Sequence, residues 1–316
     1  MAIPPSLSRN LRLPAIAAPM FLVSGPDLVT ATCKAGMIGT FPALNQRTTE
    51  GYDAWLTQIE QALGPNDAAF GVNLIVHPTN TRLLADIQVT VAHKVPLVIT
   101  SLGAVKDVVD AVHGYGGVVF HDIINARHAR KAMEAGVDGL ILVSAGAGGH
   151  AGNQHPFALL NEIRQFFKGT IILSGAISTG QDIAAALMAG ADLAYMGTRF
   201  IATVEANADA AYKQMLIDTT ARDITYTDAI SGINANFLTP SLVAHGLDPS
   251  AAKDLPHKVD MAAELDTEAK AWKTIWSAGH GVGSIHDVLP IADLVARLAT
   301  EFAAAKAAFT EKTAAY

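Results

Sequence analysis

The chain has 316 residues, of which 50% are hydrophobic and only 16% charged, which excludes an intrinsically disordered protein. Its net charge of -7, without a basic cluster, excludes nucleic acid as the main partner. The one cysteine, Cys33, excludes an intrachain disulfide and suits a reducing, cytoplasmic location. We find no signal-peptide pattern and no uncharged apolar stretch of the ~20 residues that span a membrane, so we expect no membrane partner.

Short apolar runs alternate with longer segments of helical periodicity. We predict eight strands, over residues 15–18, 37–41, 70–75, 97–100, 118–120, 139–143, 170–173 and 193–196. The predicted helices cover 26–35, 49–63, 81–93, 105–113, 126–135, 157–167 and 181–189, and another starts after Glu205. Eight strand–helix units in succession predict an α/β protein with a (β/α)8 TIM barrel.

Glycines mark the ends of several of these helices. Gly36, Gly116, Gly136 and Gly190 fall where a helix should stop and the next strand begin, and Ser24 is a candidate cap for the first long helix. The strand–helix alternation ends near residue 215. We therefore predict a barrel over 1–215, a smaller, mostly helical elaboration over 216–284 that covers the barrel mouth, and a C-terminal helix over 285–316 that packs back on the barrel.

A glycine-rich loop follows the sixth predicted strand. Gly146, Gly148, Gly149 and Gly152 surround His150, directly after a strand that is apolar throughout. Glycine lets a backbone approach a ligand closely, and α/β enzymes place their chemistry at the carboxyl ends of such strands. His150 is therefore the candidate catalytic residue; the alternative is a polar connection with a solvated histidine. The loop also matches the dinucleotide-binding fingerprint loosely, but eight units in series favour a closed barrel.

The loops after the seventh and eighth strands are candidates for a phosphate site. Barrels often bind phosphate there, and Gly175 and Gly197 would let backbone N–H groups point at it. Thr198 adds a hydroxyl, and the N-terminus of a following helix would favour negative charge. Arg199 either pairs with the phosphate or with a barrel carboxylate. Together the two loops indicate a phosphorylated cofactor; each alone is an ordinary tight turn.

Three further stretches end at the predicted mouth. Small residues near Ala18 and Pro19 leave room for a flat ring, although Met20 is equally an ordinary core residue. Asn73 offers the donor and acceptor that suit the polar edge of a flavin ring, or it ties down a loop. Asp122 faces the mouth, whereas neighbouring His121 points to the opposite face of the strand, so the two do not share a ligand. We expect no metal site.

The motifs resemble those of the FMN-dependent nitronate monooxygenases. The likeness covers nearly the whole chain and rests on Ala-Pro-Met at 18–20, Gly-Val-Asn-Leu at 71–74, Ala-Gly-Gly-His-Ala-Gly at 147–152, Leu-Ser-Gly-Ala at 173–176, Met-Gly-Thr-Arg-Phe at 196–200 and Ile-Trp-Ser-Ala-Gly at 275–279. It is specific for the superfamily and less so for the reaction, since flavin quinone reductases and a flavin enoyl-thioester reductase look similar.

The resemblance implies a barrel that binds FMN noncovalently, with His150 as the catalytic base or as an electrostatic partner. It implies a phosphate held near Gly175 and Gly197, and a cofactor site closed by the segment around Trp276. The full set of predicted cofactor-binding residues is Ala18, Pro19, Met20, Asn73, Asp122, Gly148, Gly149, Ser174, Gly175, Ala176, Met196, Gly197, Thr198, Trp276, Ser277 and Gly279. Two positions depart from the family pattern: some relatives carry lysine in place of Asp122, and many carry glycine in place of Ala176.

The resemblance therefore implies a flavoenzyme that oxidises alkyl nitronates with O2 to a carbonyl compound and nitrite. A neutral nitroalkane has an acidic α C–H, and a histidine is suited to take that proton near neutral pH. The alternatives are an NAD(P)H-dependent quinone or enoyl-thioester reductase on the same FMN barrel, and a flavin-binding barrel without catalytic activity. The expected partners are a small-molecule substrate and O2, and the chain allows a homodimer.

Overall fold

The computed structural model describes residues 3–103, 106–230, 232–247 and 275–316. Eight parallel strands form a closed barrel in the order β1-β2-β3-β4-β5-β6-β8-β9, and β1 closes the ring by pairing Ile16 with Tyr195. This confirms the predicted (β/α)8 barrel. The barrel strands are β1 (Ala15–Ala17), β2 (Ile38–Pro42), β3 (Phe70–Ile75), β4 (Leu97–Ser101), β5 (Val118–Ile123), β6 (Gly139–Val143), β8 (Thr170–Ser174) and β9 (Leu193–Met196).

Helices surround the barrel. Gly36 and Gly136 end two of them in the left-handed conformation, at φ 91° and 88°, as their positions predict. Ser24 is not a helix cap: Gly25 occupies that position, and the Ser24 hydroxyl instead donates to the Ala18 carbonyl. The helices are α1 (Pro5–Ser8), α2 (Pro26–Ala35), α3 (Thr49–Ala62), α4 (Leu83–Ala92), α5 (Lys106–His113), α6 (Ala126–Ala135), α7 (Pro156–Arg164), α8 (Gly180–Met188), α9 (Thr198–Ile201), α10 (Ala210–Asp218), α11 (Thr239–Ala244) and α12 (Ile291–Thr313).

Two apolar layers hold the barrel together. Alternate strand residues such as Ile99, Phe120 and Ile141 fill the barrel interior, and their neighbours pack outward against the helices. Both faces of each strand are therefore buried, which is why the strands read as continuous apolar runs in the sequence. The strands end together at one rim, where their loops form the mouth.

The segment beyond the barrel differs from the sequence prediction. Strands β10 (Ile224–Thr227) and β11 (Ala235–Leu238) form an antiparallel sheet with β7 (Gly149–His150) of the glycine loop. The run Ile-Thr-Tyr-Thr in β10 consists of residues that favour strands, and pairing with β11 gives its backbone N–H and C=O groups hydrogen-bond partners. The described part of 216–284 is therefore not mostly helical, and residues 248–274 lie outside the described residues. The predicted boundary at 215 falls inside α10.

The C-terminal helix is shorter than predicted. It begins at Ile291, directly after Pro290, and not at 285, because Ile285 is extended and Leu289 bridges to Thr203. Its first half buries Leu294 and Leu298 against the barrel, mainly on α8 and α2, and its last turns are exposed. Over the described ranges, no helix is long and apolar enough to cross a membrane.

Candidate active site

A cavity of about 1070 Å³ opens at the carboxyl ends of the barrel strands. This volume is at the upper end of the range for one drug-sized ligand, so the site has room for a cofactor and a small substrate. Sixteen of the seventeen residues predicted from the sequence line this cavity, namely Ala18, Pro19, Met20, Asn73, Asp122, Gly148, Gly149, His150, Ser174, Gly175, Ala176, Gly197, Thr198, Trp276, Ser277 and Gly279.

Met196 is the predicted residue that does not line the cavity. Leu193 and Tyr195 point into the barrel, so Met196, one position further along β9, points outward into the layer under the helices. Its side chain is fully buried there, and its carbonyl accepts a hydrogen bond from the Ala18 amide at 2.9 Å. Met196 therefore supports the loop after β1 through its backbone.

His150 is held in a strand and not in a mobile loop. It pairs with Ala235 of β11, and Gly149 pairs with Asn236. The Asn236 amide group donates to the Ala147 carbonyl at 2.6 Å, and the Tyr226 hydroxyl donates to the Ala151 carbonyl at 2.9 Å. These contacts fix the loop on both sides of the histidine. Nothing in the local sequence reveals this pairing, because its partner lies far along the chain.

The pKa of His150 is lowered from 6.5 to about 4 because burial disfavours the imidazolium. The side chain is therefore neutral at pH 7. A neutral imidazole can accept a proton, whereas a group meant only to hold an anion would need its positive charge in the resting enzyme. The lowered pKa therefore favours the role of His150 as a catalytic base over its role as a permanently charged group that binds an anion.

The glycine loop and the segment 275–284 pack backbone against backbone. A Cβ on Gly148 would lie 2.8 Å from the Gly279 nitrogen, and a Cβ on Gly279 would lie 2.5 Å from the Gly146 oxygen. The Gly279 amide donates to the Thr198 hydroxyl at 2.9 Å, which ties the same segment to the loop after β9. Packing within the protein therefore already requires glycine at positions 148 and 279, whether or not the backbone there also contacts a ligand.

Two aromatic rings cover one side of the cavity. Tyr212 and Trp276 are stacked, with ring centroids 5.0 Å apart and an angle of 7° between the planes. The Tyr212 hydroxyl donates to the Ser277 carbonyl at 2.5 Å, which fixes the predicted closing segment over the mouth. Tyr212 was not predicted as a site residue, and its place on a helix after the last barrel strand gave no signal of this contact.

The predicted phosphate loops meet in the structure, but some of their donors are already in use. The Ala176 amide donates to the Gly146 carbonyl at 3.2 Å, and Ala176 adopts a left-handed φ of 55°. The N-terminus of α8 is closed by a capping box between Thr179 and Asp182, and the Gly180 amide donates to Glu301, so these groups are not free for a phosphate. Arg199 pairs with Asp287 at 2.8 Å, a carboxylate that the C-terminal segment supplies.

Other groups in these loops fit a phosphorylated flavin. A Cβ on Gly197 would make only ordinary contacts, with the Ala18 methyl at 3.7 Å and the Met20 sulfur at 3.8 Å, and all three residues line the cavity. Ser178 and Ser277 both line the cavity, and among the described residues their buried hydroxyl oxygens have no hydrogen-bond partner. Buried hydroxyls without a partner in a cavity wall suit the oxygens of a bound phosphate.

A hydrogen-bonded row of polar residues crosses the cavity floor on three adjacent strands. Asn73 donates to the Ser101 hydroxyl at 2.7 Å, and Ser101 donates to the Asp122 carboxyl at 2.5 Å. All three side chains line the cavity. Ser101 was not singled out in the sequence, although its position as the last residue of an apolar strand could have revealed it. Burial raises the pKa of Asp122 from 3.8 to about 6.

The loop after β1 is held by a residue that the sequence prediction missed. The Asn45 amide donates to the Met20 and Ser24 carbonyls at 3.0 and 2.7 Å, and its oxygen accepts from the Leu22 amide at 2.8 Å. Leu22 has a left-handed φ of 60°, which is strained for a leucine. Asn45 therefore keeps the predicted ring-binding backbone in a conformation that the sequence alone would not favour.

Comparisons with known proteins agree with this geometry. The chain is 29% identical to a nitronate monooxygenase of Paraburkholderia phytofirmans, over 91% of this chain and 92% of the relative. It is 27% identical to a carboxyl-CoA dehydrogenase of Rhodococcus jostii, over 73% of this chain and 64% of that protein. The structure of a nitroalkane oxidase from Streptomyces ansochromogenes superposes with a TM-score of 0.83 at 27% identity, covering 96% and 99% of the two chains. A model of the nitronate monooxygenase family matches residues 79–301, and the chain belongs to that family.

Proposed function

We propose that the protein is a flavin-dependent nitronate monooxygenase, which converts alkyl nitronates and O2 to a carbonyl compound and nitrite. The observation that carries the proposal is His150, a neutral imidazole fixed by β7 and β11 in the wall of the cavity at the barrel mouth. The names of the Paraburkholderia and Streptomyces relatives support the same reaction class. We further propose that the cofactor is FMN, for which Gly175, Gly197 and Ser277 would supply phosphate contacts.

His150 would act on neutral nitroalkanes by taking the α-proton. A general base must be unprotonated, and burial keeps His150 in that state at pH 7. The nitronate that forms is an anion beside a newly formed imidazolium, and their attraction offsets the desolvation that lowers the pKa of the free side chain. A preformed nitronate has already lost this proton and does not need the step.

The rest of the site orients and shields the substrate. Trp276 and Tyr212 restrict solvent access on one side, and the glycine loop fixes His150 on another. Asn73 offers hydrogen-bonding capacity on the floor, where it would meet the polar edge of a flavin ring. A flavin held at this site would supply the redox chemistry that links the nitronate to O2.

The test has two stages. We expect the purified protein to be yellow, and extraction with chromatography to give one FMN per chain; FAD, or no flavin after reconstitution, would contradict the cofactor assignment. The holoenzyme is then mixed anaerobically with an alkyl nitronate and, separately, with NADH and NADPH. We expect the nitronate to bleach the flavin, and aerobic turnover to release nitrite.

A second candidate is an NAD(P)H-dependent reductase of quinones or enoyl thioesters. The similarity to the Rhodococcus dehydrogenase, a protein named for a CoA-linked substrate, favours it. Rapid bleaching by NAD(P)H, with no reaction of the nitronate, would select this alternative. Bound flavin without turnover on any of these substrates would indicate a catalytically inactive flavin-binding barrel. A homodimer and a cytoplasmic location stay predictions.

A further inference from the structure

The cavity floor carries a carboxyl group that the proposed reaction does not use. Asp122 on β5 follows Val118 and Phe120 in the strand alternation, and both of those side chains lie in the inner apolar layer of the barrel. Asp122 therefore points inward, and because it is near the end of its strand it lines the cavity. Its charge would be placed directly under whatever ligand the cavity holds.

A row of hydrogen bonds connects this carboxyl to its neighbours on the cavity floor. The Ile99 carbonyl can only accept, so the Asn73 amide nitrogen must face it, at 3.3 Å. The same nitrogen donates to the Ser101 hydroxyl, which uses its own proton on Asp122 Oδ2. Oδ2 is therefore the carboxyl oxygen in this row: it accepts from Ser101 when Asp122 is ionised, and when protonated it can donate to the second lone pair of the Ser101 oxygen.

The surroundings of Oδ1 favour the protonated form. This oxygen is inaccessible and has no hydrogen-bond partner among the described residues. The adjacent strands β4 and β6 contain no titratable side chain. Burial and, as a smaller contribution, the charge of Asp122 raise the pKa of Tyr195 on β9, so this phenol stays neutral. An ionised carboxylate here would have one hydrogen bond and no counter-ion, which is costly in a low-dielectric interior.

The other titratable groups near the cavity do not neutralise Asp122. In the described ranges, no cation forms an ion pair with it. His121 on the same strand points to the other face and bonds to Thr100. Further groups that line the cavity wall are His128, Lys131, His150, Asp209 and Tyr212.

We propose that Asp122 is a specificity-determining residue that sets the charge of the cavity floor. With its proton the floor is neutral and admits an anionic substrate of the nitronate class; without it the floor repels the anion and leaves binding of the neutral nitroalkane nearly unchanged. The proposal rests on the proposed function, because it concerns the charge of that substrate. An acidic side chain is thereby compatible with a site for anions at pH values where the carboxyl is protonated.

The test measures anion binding as a function of pH in the FMN-loaded protein. The probe is nitrate, an inert planar anion that presents oxygens on nitrogen as a nitronate does, and its binding is followed by the change in the flavin absorbance spectrum. For the wild type, we expect the Kd for nitrate to rise by at least about tenfold between pH 5 and pH 8, because like charges repel at short range. The Asp122→Asn variant keeps the size of the side chain but cannot ionise, so its Kd should stay low over the same range.

A matched variant tests the hydrogen-bond argument. Ser101→Ala removes the donor to Oδ2 that stabilises the charged form, so the rise in Kd should move to higher pH than in the wild type. Infrared difference spectra of flavin-free wild type against Asp122→Asn should show the C=O stretch of a protonated carboxylic acid at pH 5, and its loss at pH 8. This readout needs neither flavin nor turnover.

The outcomes separate the two proposals. If wild type and Asp122→Asn show parallel pH dependence of nitrate binding, or if the infrared band is missing at pH 5, the assignment of Asp122 is overturned while the proposed function stands. If the protein binds no flavin and turns over no nitronate, the proposed function fails, and the role of Asp122 toward anionic substrates fails with it.

Discussion

Gly197 offers a direct test of where the cofactor binds, because the structure separates the cost to the fold from the cost to the ligand. A Cβ at this position would make only ordinary contacts, with the Ala18 methyl at 3.7 Å and the Met20 sulfur at 3.8 Å. The backbone has a negative φ of -107°, so Gly197→Ala is not strained. We expect the free energy of unfolding of the flavin-free protein to stay the same or rise by up to about 1 kcal/mol.

The added methyl group would lie beside Ala18 and Met20 in the cavity wall, where it would narrow the space assigned to FMN. Inserting a methyl into a packed contact typically costs about 1–3 kcal/mol, which corresponds to roughly a 5- to 150-fold loss of FMN affinity. Gly197→Asp adds a charge that repels the phosphate, and at about 4 Å this costs a further 1–4 kcal/mol, depending on the effective dielectric constant. FMN affinity should therefore fall in the order wild type, Gly197→Ala, Gly197→Asp.

The assay combines urea unfolding of the flavin-free proteins with FMN binding followed by flavin fluorescence. The matched control is Gly148→Ala, whose Cβ would lie 2.8 Å from the Gly279 nitrogen and 3.1 Å from the Ala278 carbonyl carbon. That variant should lose about 1–3 kcal/mol of stability, because backbone atoms must move apart. If Gly197→Asp binds FMN as tightly as the wild type does, the phosphate does not lie at this loop and the assignment is wrong.

Further predictions concern the base, its ionisation and two backbone positions. His150→Asn should reduce kcat/KM for neutral nitroalkanes by about 10²–10⁴-fold and for preformed nitronates far less, with FMN content unchanged; equal losses would exclude the base. Because burial lowers the pKa of His150 to about 4, kcat/KM for neutral nitroalkanes should rise with pH through about 4. If the kcat/KM of the wild type instead rises near pH 6.5, and His150→Asn abolishes that rise, the lowered pKa is refuted. Ala176→Gly should raise the free energy of unfolding by up to about 1 kcal/mol in urea titrations, because glycine adopts the left-handed φ at this position without strain and the methyl group that is lost is exposed. A fall of the same size would show that the alanine is not strained. Asn45→Ala should lower FMN affinity, and Asn45→Asp should not restore it, because its carboxylate keeps the acceptor for the Leu22 amide but faces the Met20 and Ser24 carbonyls; wild-type affinity of either variant in fluorescence titration would contradict this role.

The fold was determined by local patterns in the sequence. A barrel strand buried on both faces must be apolar throughout, so runs such as Gly139–Val143 were visible without any tertiary information. Gly36 and Gly136 marked helix ends because a left-handed residue is needed there and glycine adopts it without strain. The carboxyl ends of parallel strands meet at one rim, so residues just after each strand were expected to share a site, and nearly all of them line one cavity.

Only the tertiary structure decided how those residues are held and charged. His150 pairs with Ala235, and Thr198 accepts a hydrogen bond from Gly279; such contacts between distant positions leave no local signal in the sequence. Met196 lies in a run that is apolar on both faces, so only the strand alternation in the folded barrel shows that it points away from the cavity. The ionisation of His150 and Asp122 depends on burial and neighbouring groups, which exist only once the mouth is assembled.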